Sequence, residues 1–570
     1  MEEVDVVVIG AGISGIDAAH HMKVDCPQCS FVVLERRASH GGTWDLMKYP
    51  GIRSDSDMYT FGYNFFPWPK SISIATGGEI LEYLDQAIDD SGIREHIRFK
   101  HKILTAAWDS GTARWTVRCE NGAAFRCRFL FGCTGYYDAD RGHTIEFPGK
   151  SNFKGKIVHP QHWERESAEF QRDGIRGKKV VVVGSGATAV TMIPNMCSSV
   201  DGPGGGASHV TMLQRSPTYI MSRVNSDPQV ARWLAEPGVD AKQVHERIRV
   251  RNMENGRKMQ AQQLERFQKM GVDTSKPEQI QAMMKKLYID LMRKNLDIGN
   301  NPYMSEAAFR KHFTPWYNPW EQRVCFCPDN DFFECIKNGE ASVVTDEIES
   351  FDESGIVLAS GEHLEADIII TATGLHLQEN MPMNTMCVSI DGDPYVASEK
   401  VTYMDCMLTD VSPDSGLCRH TTRHLIGCVR IAGQVPNYAF VTGYFQASWT
   451  LKADIIAAFV CRVINRITEM GARASCIPRI DDQTYLKIQS LEQYAEMPRD
   501  ALGNLIRKTG DNGPGYALRM RHLQPKRGTE HPWAPLMDPA RDRETMMNLD
   551  LDEGHLYFSA SPQLRQRASI

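Results

Sequence analysis

The chain has 570 residues, which at roughly 100–200 residues per domain implies two to four packed units. Hydrophobic residues make up 42% and charged residues 24%, as in typical globular proteins, so this composition excludes both disorder and a membrane-spanning bundle. The formal net charge of -7 gives no general attraction to polyanions, and no nucleic-acid partner is expected.

The first residues predict no export signal, because they lack a cationic start and glycines interrupt the apolar run. The longest apolar stretch, about Ile455 to Cys461, is far shorter than the about 20 residues that a spanning helix needs, so no integral membrane segment is expected. Fifteen cysteines without an export signal indicate reduced thiols, and we expect a cytoplasmic protein. The CxxC pair Cys26 and Cys29 lacks a second pair, so no metal site is predicted.

The first nucleotide-binding pattern begins the chain. A β-branched run, Val4 to Ile9, leads directly into the glycine turn and then into a helix-compatible segment, 16–22. The next predicted strand, 31–34, ends at Glu35, at the spacing where a carboxylate meets a ribose hydroxyl. The free N–H groups at the start of the helix favour a pyrophosphate. We predict an FAD or NAD site at Gly10, Gly12, Ser14, Gly15 and Glu35.

The pattern recurs after a second predicted strand, 178–183, where a glycine turn opens a helix toward Met192. A strand at 210–213 then places Arg215 where the first unit has Glu35. Because an arginine suits the 2′-phosphate of NADP and a carboxylate repels it, the two units should hold different nucleotides. The predicted NADP site comprises Gly184, Ser185, Gly186, Ala187, Thr188, Ala189, Arg215 and Ser216.

Two further strands end in small-residue turns, 133–135 and 372–374, where the chain can pass close to a cofactor or cross between domains. Polar helical stretches at 244–270 and 277–296 indicate an inserted helical layer. The predicted units are 1–145 and 377–490 for FAD, 146–224 and 313–376 for NADP, 225–312 for the helical insertion and 491–570 for a C-terminal extension.

The segment between the two nucleotide patterns indicates a family. Phe153, Gly155, His159 and Trp163 fit FxGxxxHxxxW, which resembles the fingerprint of type I Baeyer–Villiger flavin monooxygenases. That family usually continues with Pro or Asp, where this chain has Glu164. Further blocks at 41–45, 49–59, 214–219, 317–323, 447–452 and 514–516 extend the resemblance to about Trp533, and they are similar to the branch of the ethionamide-activating monooxygenase.

This resemblance implies roles for individual residues. Arg323 matches the arginine that stabilises the anionic oxygenated flavin, and Asp55 matches the carboxylate that orients it. Gln322 stands where the family often has a basic residue, so NADP preference is expected to rest mainly on Arg215 and Ser216. The resemblance also assigns FAD contacts to Thr43, Trp44, Asp45 and Ile103, and contacts with the nicotinamide nucleotide to Arg53, Ser54 and Asp55.

One segment does not fit the family. Residues 411–434 lie between two matching blocks, and removing them joins Asp410 to Val435 and restores the family's length. Val411-Ser412 can be encoded by a splice-donor consensus and Gln434 by the acceptor triplet CAG. A retained in-frame intron and a genuine surface loop are both consistent with this segment.

We predict an α/β protein with two Rossmann-like dinucleotide-binding domains, for FAD and NADP, and a helical insertion. The predicted enzyme is an NADPH-dependent flavin monooxygenase that inserts one oxygen atom from O2 into ketones, giving esters or lactones, and also oxygenates sulfur. The first alternative is a monooxygenase restricted to nitrogen and sulfur. A disulfide reductase would need a cysteine pair that 38–44 lacks, and a catalytically silent nucleotide-binding protein is the third alternative. The sequence does not predict the substrate or the oligomeric state.

Overall fold

A computed structural model describes residues 1–322, 324–377, 383, 386–397, 400–410, 435–444, 447–490, 526–552 and 555–560. Three features singled out in the sequence lie outside these residues: Arg323, the segment 411–434 and the block 514–516. The strands, in chain order, are β1 (Glu2–Glu3), β2 (Val6–Ile9), β3 (Phe31–Leu34), β4 (Ile97–Arg98), β5 (Ile103–Asp109), β6 (Arg114–Cys119), β7 (Ala124–Cys127), β8 (Phe129–Gly132), β9 (Tyr137–Gly142), β10 (Lys156–Val158), β11 (Lys179–Val183), β12 (His209–Gln214), β13 (Ile220–Arg223), β14 (Cys325–Pro328), β15 (Ala341–Thr345), β16 (Ile348–Phe351), β17 (Gly355–Leu358), β18 (His363–Glu365), β19 (Ile368–Thr371), β20 (Leu375–Leu377), β21 (Cys387–Ile390), β22 (Asp393–Tyr395), β23 (Val401–Tyr403), β24 (Met407–Thr409), β25 (Tyr438–Phe440), β26 (Ser475–Pro478) and β27 (Leu556–Ser559).

The helices, in the same order, are α1 (Ile13–Asp25), α2 (Thr43–Leu46), α3 (Met58–Phe61), α4 (Gly77–Ser91), α5 (Ala168–Asp173), α6 (Ala187–Met196), α7 (Pro228–Leu234), α8 (Ala241–Lys269), α9 (Pro277–Asn295), α10 (Glu306–Phe313), α11 (Asp331–Lys337), α12 (Trp449–Met470), α13 (Asp482–Gln489) and α14 (Pro539–Asn548). Three short 3₁₀ segments lie at Arg94–His96, Lys150–Asn152 and Pro160–Arg165.

Two five-stranded sheets carry the two glycine turns. The first has the order β25-β8-β2-β3-β4 and the second the order β10-β19-β11-β12-β15. All pairings in both sheets are parallel. Strands β2, β3 and β8 are buried along their whole length, as expected of parallel strands covered on both faces. Because β25 comes from the C-terminal half of the chain, distant parts of the sequence build the first sheet.

The predicted strands and helices around both turns are present. Strand β3 coincides with the predicted 31–34, and β11 begins one residue after the predicted 178. Helices α1 and α6 follow the two turns directly, as the dinucleotide pattern requires. The two predicted polar helical stretches correspond to α8 and α9. The boundaries proposed for the whole domains stay a prediction.

The helical layer contacts both halves of the structure. Val244 and Ile248 of α8 are buried in the apolar core that also contains β2 and α12. Met292 of α9 and Phe309 of α10 are instead buried in the core around β11 and α6. A six-stranded mixed sheet, β1-β7-β6-β5-β21-β22, covers the first sheet. Within the part of the chain that the structure describes, no helix has both the length and the apolar character needed to cross a membrane.

Candidate active site: a cleft joining two nucleotide turns

A cleft of about 530 Å³ extends from the first glycine turn to the second. Its volume lies in the range of small-molecule sites, roughly 300–1,000 Å³. Most of the residues predicted to bind cofactors line it: Gly10, Gly12, Ser14, Glu35, Thr43, Trp44, Arg53, Ser54, Asp55, Ile103, Ser185, Gly186, Ala187, Thr188 and Ser216. The structure therefore brings residues of the two sequence patterns to one cavity.

The first turn packs against the end of a neighbouring strand. Gly10 has a φ of +102°, and a β-carbon there would lie 2.6 Å from the carbonyl oxygen of Cys133. Cys133 follows β8 and belongs to the small-residue turn that the sequence predicts to approach a cofactor. Gly15 does not line the cleft and lies behind the turn, in the first turn of α1. Only glycine at position 10 allows this close approach of the backbone.

Glu35 follows β3 and is fixed by backbone groups. One carboxylate oxygen accepts the N–H of Ala11 at 2.8 Å, and the other accepts the N–H of Arg37 at 2.7 Å. The side chain is only 4% exposed, yet it lines the cleft. A carboxylate held in this way beside the turn has the position and charge expected for binding ribose hydroxyls.

The second turn repeats this arrangement. Gly184 has a φ of +130°, and a β-carbon there would overlap the carbonyl oxygen of Ala372, which follows β19. Ser185 donates a hydrogen bond to the carbonyl oxygen of Ser216 at 3.2 Å, so the turn is tied to the end of β12. Arg215 is exposed beside the cleft-lining Ser216. Gly184, Ala189 and Arg215 are the predicted NADP residues that do not line the cleft.

Asp45 of α2 also lies outside the cleft lining and has an electrostatic role. It accepts a hydrogen bond from Nε of Arg37 at 2.8 Å. Burial alone would raise the pKa of Asp45, but the bonds from Arg37 and Ser39 outweigh it and hold the pKa below its usual value. Arg37 lines the cleft and also pairs with Glu164 at 3.2 Å, which connects the first unit to the fingerprint segment. Glu164, which stands where the family usually has Pro or Asp, thus has Arg37 as its ionic partner.

The predicted nicotinamide segment, Arg53 to Asp55, lines the cleft. Arg53 is only 7% exposed and pairs with Asp331 of α11 at 2.5 Å. Burial raises the pKa of Asp331, and the Arg53 guanidinium offsets part of that effect. Asp55 lines the cleft on the same segment. Gln322 lines it as well, while Arg323, the predicted catalytic arginine, lies outside the described residues.

The fingerprint residues do not line the cleft, and two of them pack against the second sheet. Phe153 and Trp163 are buried, at 8% and 2% exposure. His159 caps the 3₁₀ segment by accepting the N–H of Gln161 at 3.2 Å. Burial, with the neighbouring His162, lowers the pKa of His159 to about 4, so the ring is neutral at pH 7. Gly155 is on the loop before β10, against the backbone of Asp367. These contacts assign the fingerprint to packing between elements.

Several residues that line the cleft were not predicted as site residues. Trp449 begins α12 and donates its Nε1–H to the hydroxyl of Ser14 at 2.7 Å. Tyr136 stacks on its indole with a centroid distance of 5.2 Å. Arg36 and Arg37 lie in the loop after β3, and Tyr49 lies in the loop after α2. Trp449 lies in a block that resembles the family, which is a signal that could have identified it.

The residues present fit a dinucleotide. Gly12 and Gly42 oppose each other closely, since a β-carbon on Gly12 would lie 3.4 Å from Cα of Gly42. The cleft therefore has a narrow glycine-lined section at the start of α1, where N–H groups favour a pyrophosphate. Glu35, Thr43 and Trp44 line the same cleft. A glycine-lined section with helix N–H groups and a carboxylate beside it is compatible with a dinucleotide such as FAD, and Ser185 to Thr188 at the start of α6 line the cleft as the second pattern predicts for NADP.

Comparison with known proteins agrees with this geometry. The family described as flavin-binding monooxygenase-like matches residues 3–230. The chain is 38% identical over 570 residues to the probable FAD-binding monooxygenase AlmA of Acinetobacter baylyi, covering 99% of this chain and 98% of that protein. It is 38% identical over 571 residues to the FAD-containing monooxygenase EthA of Mycobacterium tuberculosis, covering 98% of this chain and 99% of that one.

Solved structures show the same fold. An oxidized steroid monooxygenase bound to NADP aligns with a TM-score of 0.66 at 21% identity, over 96% of this chain and 97% of that chain. The enzyme OTEMO in complex with FAD and NADP aligns with a TM-score of 0.65 at 17% identity, over 98% and 99%. These findings confirm the predicted fold class, the resemblance to the EthA branch, and FAD and NADP as the cofactors expected of such an enzyme. The chain belongs to the family of FAD-containing monooxygenases.

Proposed function

We propose that this protein is an NADPH-dependent Baeyer–Villiger monooxygenase, which inserts one oxygen atom of O2 beside the carbonyl of a small ketone and also oxygenates thioethers. The observation that supports this most is the shared cleft, onto which the turn at Gly10 and the turn at Gly184 both open. A nicotinamide donor and a flavin held there would meet without either leaving the protein.

The chain's own residues divide the work. FAD, when bound and reduced by NADPH, supplies the activation of O2 and the transfer of one of its atoms. Glu35 and the start of α1 hold the adenosine and pyrophosphate of FAD, and Thr43 and Trp44 position the flavin side of the cleft. Arg53, kept in place by Asp331, binds the nicotinamide nucleotide. Apolar cleft residues such as Leu46, Met47 and Phe61 exclude water.

Arg323 carries the proposed oxygenation step. The family resemblance assigns to it the stabilisation of negative charge on oxygen, and a guanidinium keeps its charge when it loses water. Its neighbour in sequence, Gln322, and its proposed partner Asp55 both line the cleft. The family resemblance also favours ketone oxidation, because the fingerprint ends in Trp163 where the relatives that oxygenate only nitrogen and sulfur typically have Tyr or Phe.

The test is NADPH oxidation by the purified holoenzyme with ketones and thioethers, with products analysed by mass. We expect esters or lactones that contain one added oxygen atom. Arg323→Ala should reduce their formation at least about 100-fold while flavin content is unchanged. Sulfoxides without any ester or lactone would support the alternative enzyme restricted to nitrogen and sulfur. NADPH oxidation without any oxygenated product would overturn the proposal.

Nucleotide preference is tested separately at Arg215. The exposed guanidinium next to Ser216 is proposed to bind the 2′-phosphate. Because a charge-assisted hydrogen bond contributes about 1.5–3 kcal/mol, Arg215→Ala should raise the KM for NADPH roughly 10–100-fold and leave that for NADH nearly unchanged. Arg176→Ala removes another surface arginine, which pairs with Asp173 and Asp201, and is the matched control. Equal effects on both nucleotides would contradict the assignment of Arg215.

A further inference from the structure

A second group of ionisable side chains lies outside the cleft, between α1 and α12. Asp17 and His21 are one turn apart on α1, and Asp454 faces them from α12. One potential ligand atom of each residue lies within 4.8 Å of those of the other two. We call these three residues the Asp–His–Asp cluster.

The carboxylate of Asp17 is the most unusual member. It is 0% exposed, and neither of its oxygens has a hydrogen-bond partner among the residues that the structure describes. Burying an ionised carboxylate without a partner is costly, so such groups pair with a cation, coordinate a metal or take up a proton. Because Asp17 is aimed at a histidine and a second carboxylate, its surroundings point to a positively charged ligand.

The histidine is already oriented for coordination. Nδ1 of His21 lies 2.7 Å from Oδ2 of Asp25, so this carboxylate can accept the Nδ1 proton. The other ring nitrogen, Nε2, pairs with Oδ1 of Asp454 at 3.3 Å, a contact that an ion bound between these two atoms would replace. Metal-binding histidines are commonly fixed in this way, with one ring N–H donated to a carboxylate and the other nitrogen free for the ion.

The remaining contacts leave one oxygen of Asp454 directed at the centre. Its Oδ2 accepts hydrogen bonds from Nδ2 of Asn64 at 3.1 Å and from Arg543. Its Oδ1 is the atom that faces His21. The cluster therefore offers one nitrogen and at least two carboxylate oxygens. With Asp25 and Arg543 included, three carboxylates and one guanidinium leave a net charge that balances a divalent ion.

We propose that the Asp–His–Asp cluster binds one divalent transition-metal ion, with Zn²⁺ as the best fit, through Asp17, Nε2 of His21 and Oδ1 of Asp454. Imidazole with carboxylates suits Zn²⁺, whereas Mg²⁺ and Ca²⁺ prefer oxygen ligands alone. The three residues do not line the cleft, so the ion has no part in oxygenation. It would join α1 to α12, the same helices that Ser14 and Trp449 join beside the cofactor turn.

The experiment uses untagged, flavin-loaded protein that carries Cys387→Ser, because Cys387 is the exposed one among the described free cysteines. After treatment with a chelator, the protein is titrated with Co²⁺ and followed by visible absorption, and Zn²⁺ then competes. We expect one equivalent of Co²⁺ with a spectrum of nitrogen and oxygen ligands. Asp17→Asn and His21→Gln should each weaken binding at least about 100-fold, and Asp25→Asn about 10–100-fold.

His20→Gln is the matched control, since His20 is on the same helix but stacks on Phe65 at a centroid distance of 3.6 Å. Its Co²⁺ affinity should equal that of the parent protein. Absence of stoichiometric binding, a thiolate-to-cobalt charge-transfer band, or unchanged affinity in both Asp17→Asn and His21→Gln would overturn the proposal. If those variants do not fold, the parent protein decides the question. Zn²⁺ must then raise its melting temperature and displace Co²⁺, and failure of either overturns the proposal.

Discussion

Each nucleotide turn depends on a glycine that packs against the end of another strand. Gly10 meets Cys133 after β8, and Gly184 meets Ala372 after β19. Both glycines have positive φ values, +102° and +130°, which other residues rarely adopt. The next glycine in the second turn, Gly186, has an ordinary φ of -79°, and a β-carbon added there would have no heavy-atom neighbour within 4 Å in the described part of the chain. Gly184 is therefore required by the backbone conformation and packing of the turn, whereas Gly186 is not.

This difference predicts that an alanine variant at Gly184 loses stability, whereas one at Gly186 loses affinity for NADPH. Gly184→Ala should lower the free energy of unfolding by about 1–3 kcal/mol, because it combines backbone strain with overlap at Ala372. Gly186→Ala should leave stability unchanged but raise the KM for NADPH, since this glycine lets the backbone approach the pyrophosphate. Thermal melting and steady-state NADPH oxidation measure the two effects. Equal melting temperatures for the two variants would contradict the prediction.

Single residues also show what the sequence could predict of the site. Gly10, Glu35 and Ser185 belong to local patterns with a fixed spacing, and all three line the cleft. The bond from Trp449 to Ser14 joins residues 435 positions apart, and local spacing carries no information about such a contact. The Asp–His–Asp cluster could not be predicted from local spacing either, because Asp454 meets α1 only through tertiary packing.

Among the elements, α12 supports the first turn from the side. Its first residue, Trp449, fills the space beside Gly443 and contacts Ser14 with its indole N–H. Farther along, Lys452 forms a buried ion pair with Asp405 at 2.7 Å, and Arg527 pairs with the same carboxylate at 2.8 Å. These two cations outweigh the effect of burial and lower the pKa of Asp405 to about 2. The helix thus connects the cofactor turn to the C-terminal segments.

A double-mutant cycle can measure the contact between α12 and the turn. Trp449→Phe keeps an aromatic ring but removes the donor, and Ser14→Ala removes the acceptor. Each should lower the melting temperature and speed the loss of FAD, and their coupling energy should be about 0.5–1.5 kcal/mol. Trp316→Phe, at a tryptophan that is 56% exposed, is the control. Strictly additive effects would mean that the hydrogen bond contributes nothing.

The fingerprint segment predicts a pH dependence of stability. His159 has a pKa of about 4 in the folded protein because of burial, against about 6.5 in an unfolded chain. Between these pH values the unfolded state binds more protons, so stability falls as the pH decreases from 6.5 toward 4. Protonation of Nδ1 would also remove the acceptor for the N–H of Gln161.

His159→Gln removes this titration and keeps a neutral polar side chain. We expect its melting temperature to decrease less than that of the parent protein when the pH is lowered from 7 to 5. The melting temperatures of the two proteins should differ less at pH 5 than at pH 7, because only the parent loses the stability that neutral His159 contributes. His20 and His312, whose pKa values burial also lowers to about 4, keep some pH dependence in the variant. Identical pH profiles would show that His159 does not titrate in this way.

The fold is assembled from distant parts of the chain. The sequence predicted both nucleotide units because their strands and turns are local patterns, and β25 shows how the C-terminal half completes the first sheet. Which elements of the helical layer contact which core could not be predicted. Residues of α8 and α9 enter different cores, and polar helices with few apolar positions do not encode that choice.

The ends that flank the segment 411–434 contact the same strand. Thr409 donates its hydroxyl to the carbonyl oxygen of Pro478 at 2.5 Å, and the N–H of Asn437 donates to Cys476 at 3.0 Å, both on β26. The N–H of Phe440 also donates to the carbonyl oxygen of Cys406 at 2.7 Å, which connects β25 to the residue before β24. Both flanks therefore contact β26 within two residues of each other, and we expect that Asp410 can be joined directly to Val435.

We expect a variant that lacks 411–434, with Asp410 joined to Val435, to fold, to bind FAD at least as fully as the parent protein and to keep its melting temperature or raise it. Shortening the connection lowers the entropic cost of loop closure by only about 1–2 kcal/mol, so a larger gain would indicate that the segment itself disturbs the first sheet. Replacing the segment with a Gly/Ser linker of equal length is the control that separates length from sequence. Flavin absorbance per protein and thermal melting provide the measurement. An aggregated or flavin-free deletion variant would show that the segment is an integral part of the fold, and would count against its origin as a retained intron.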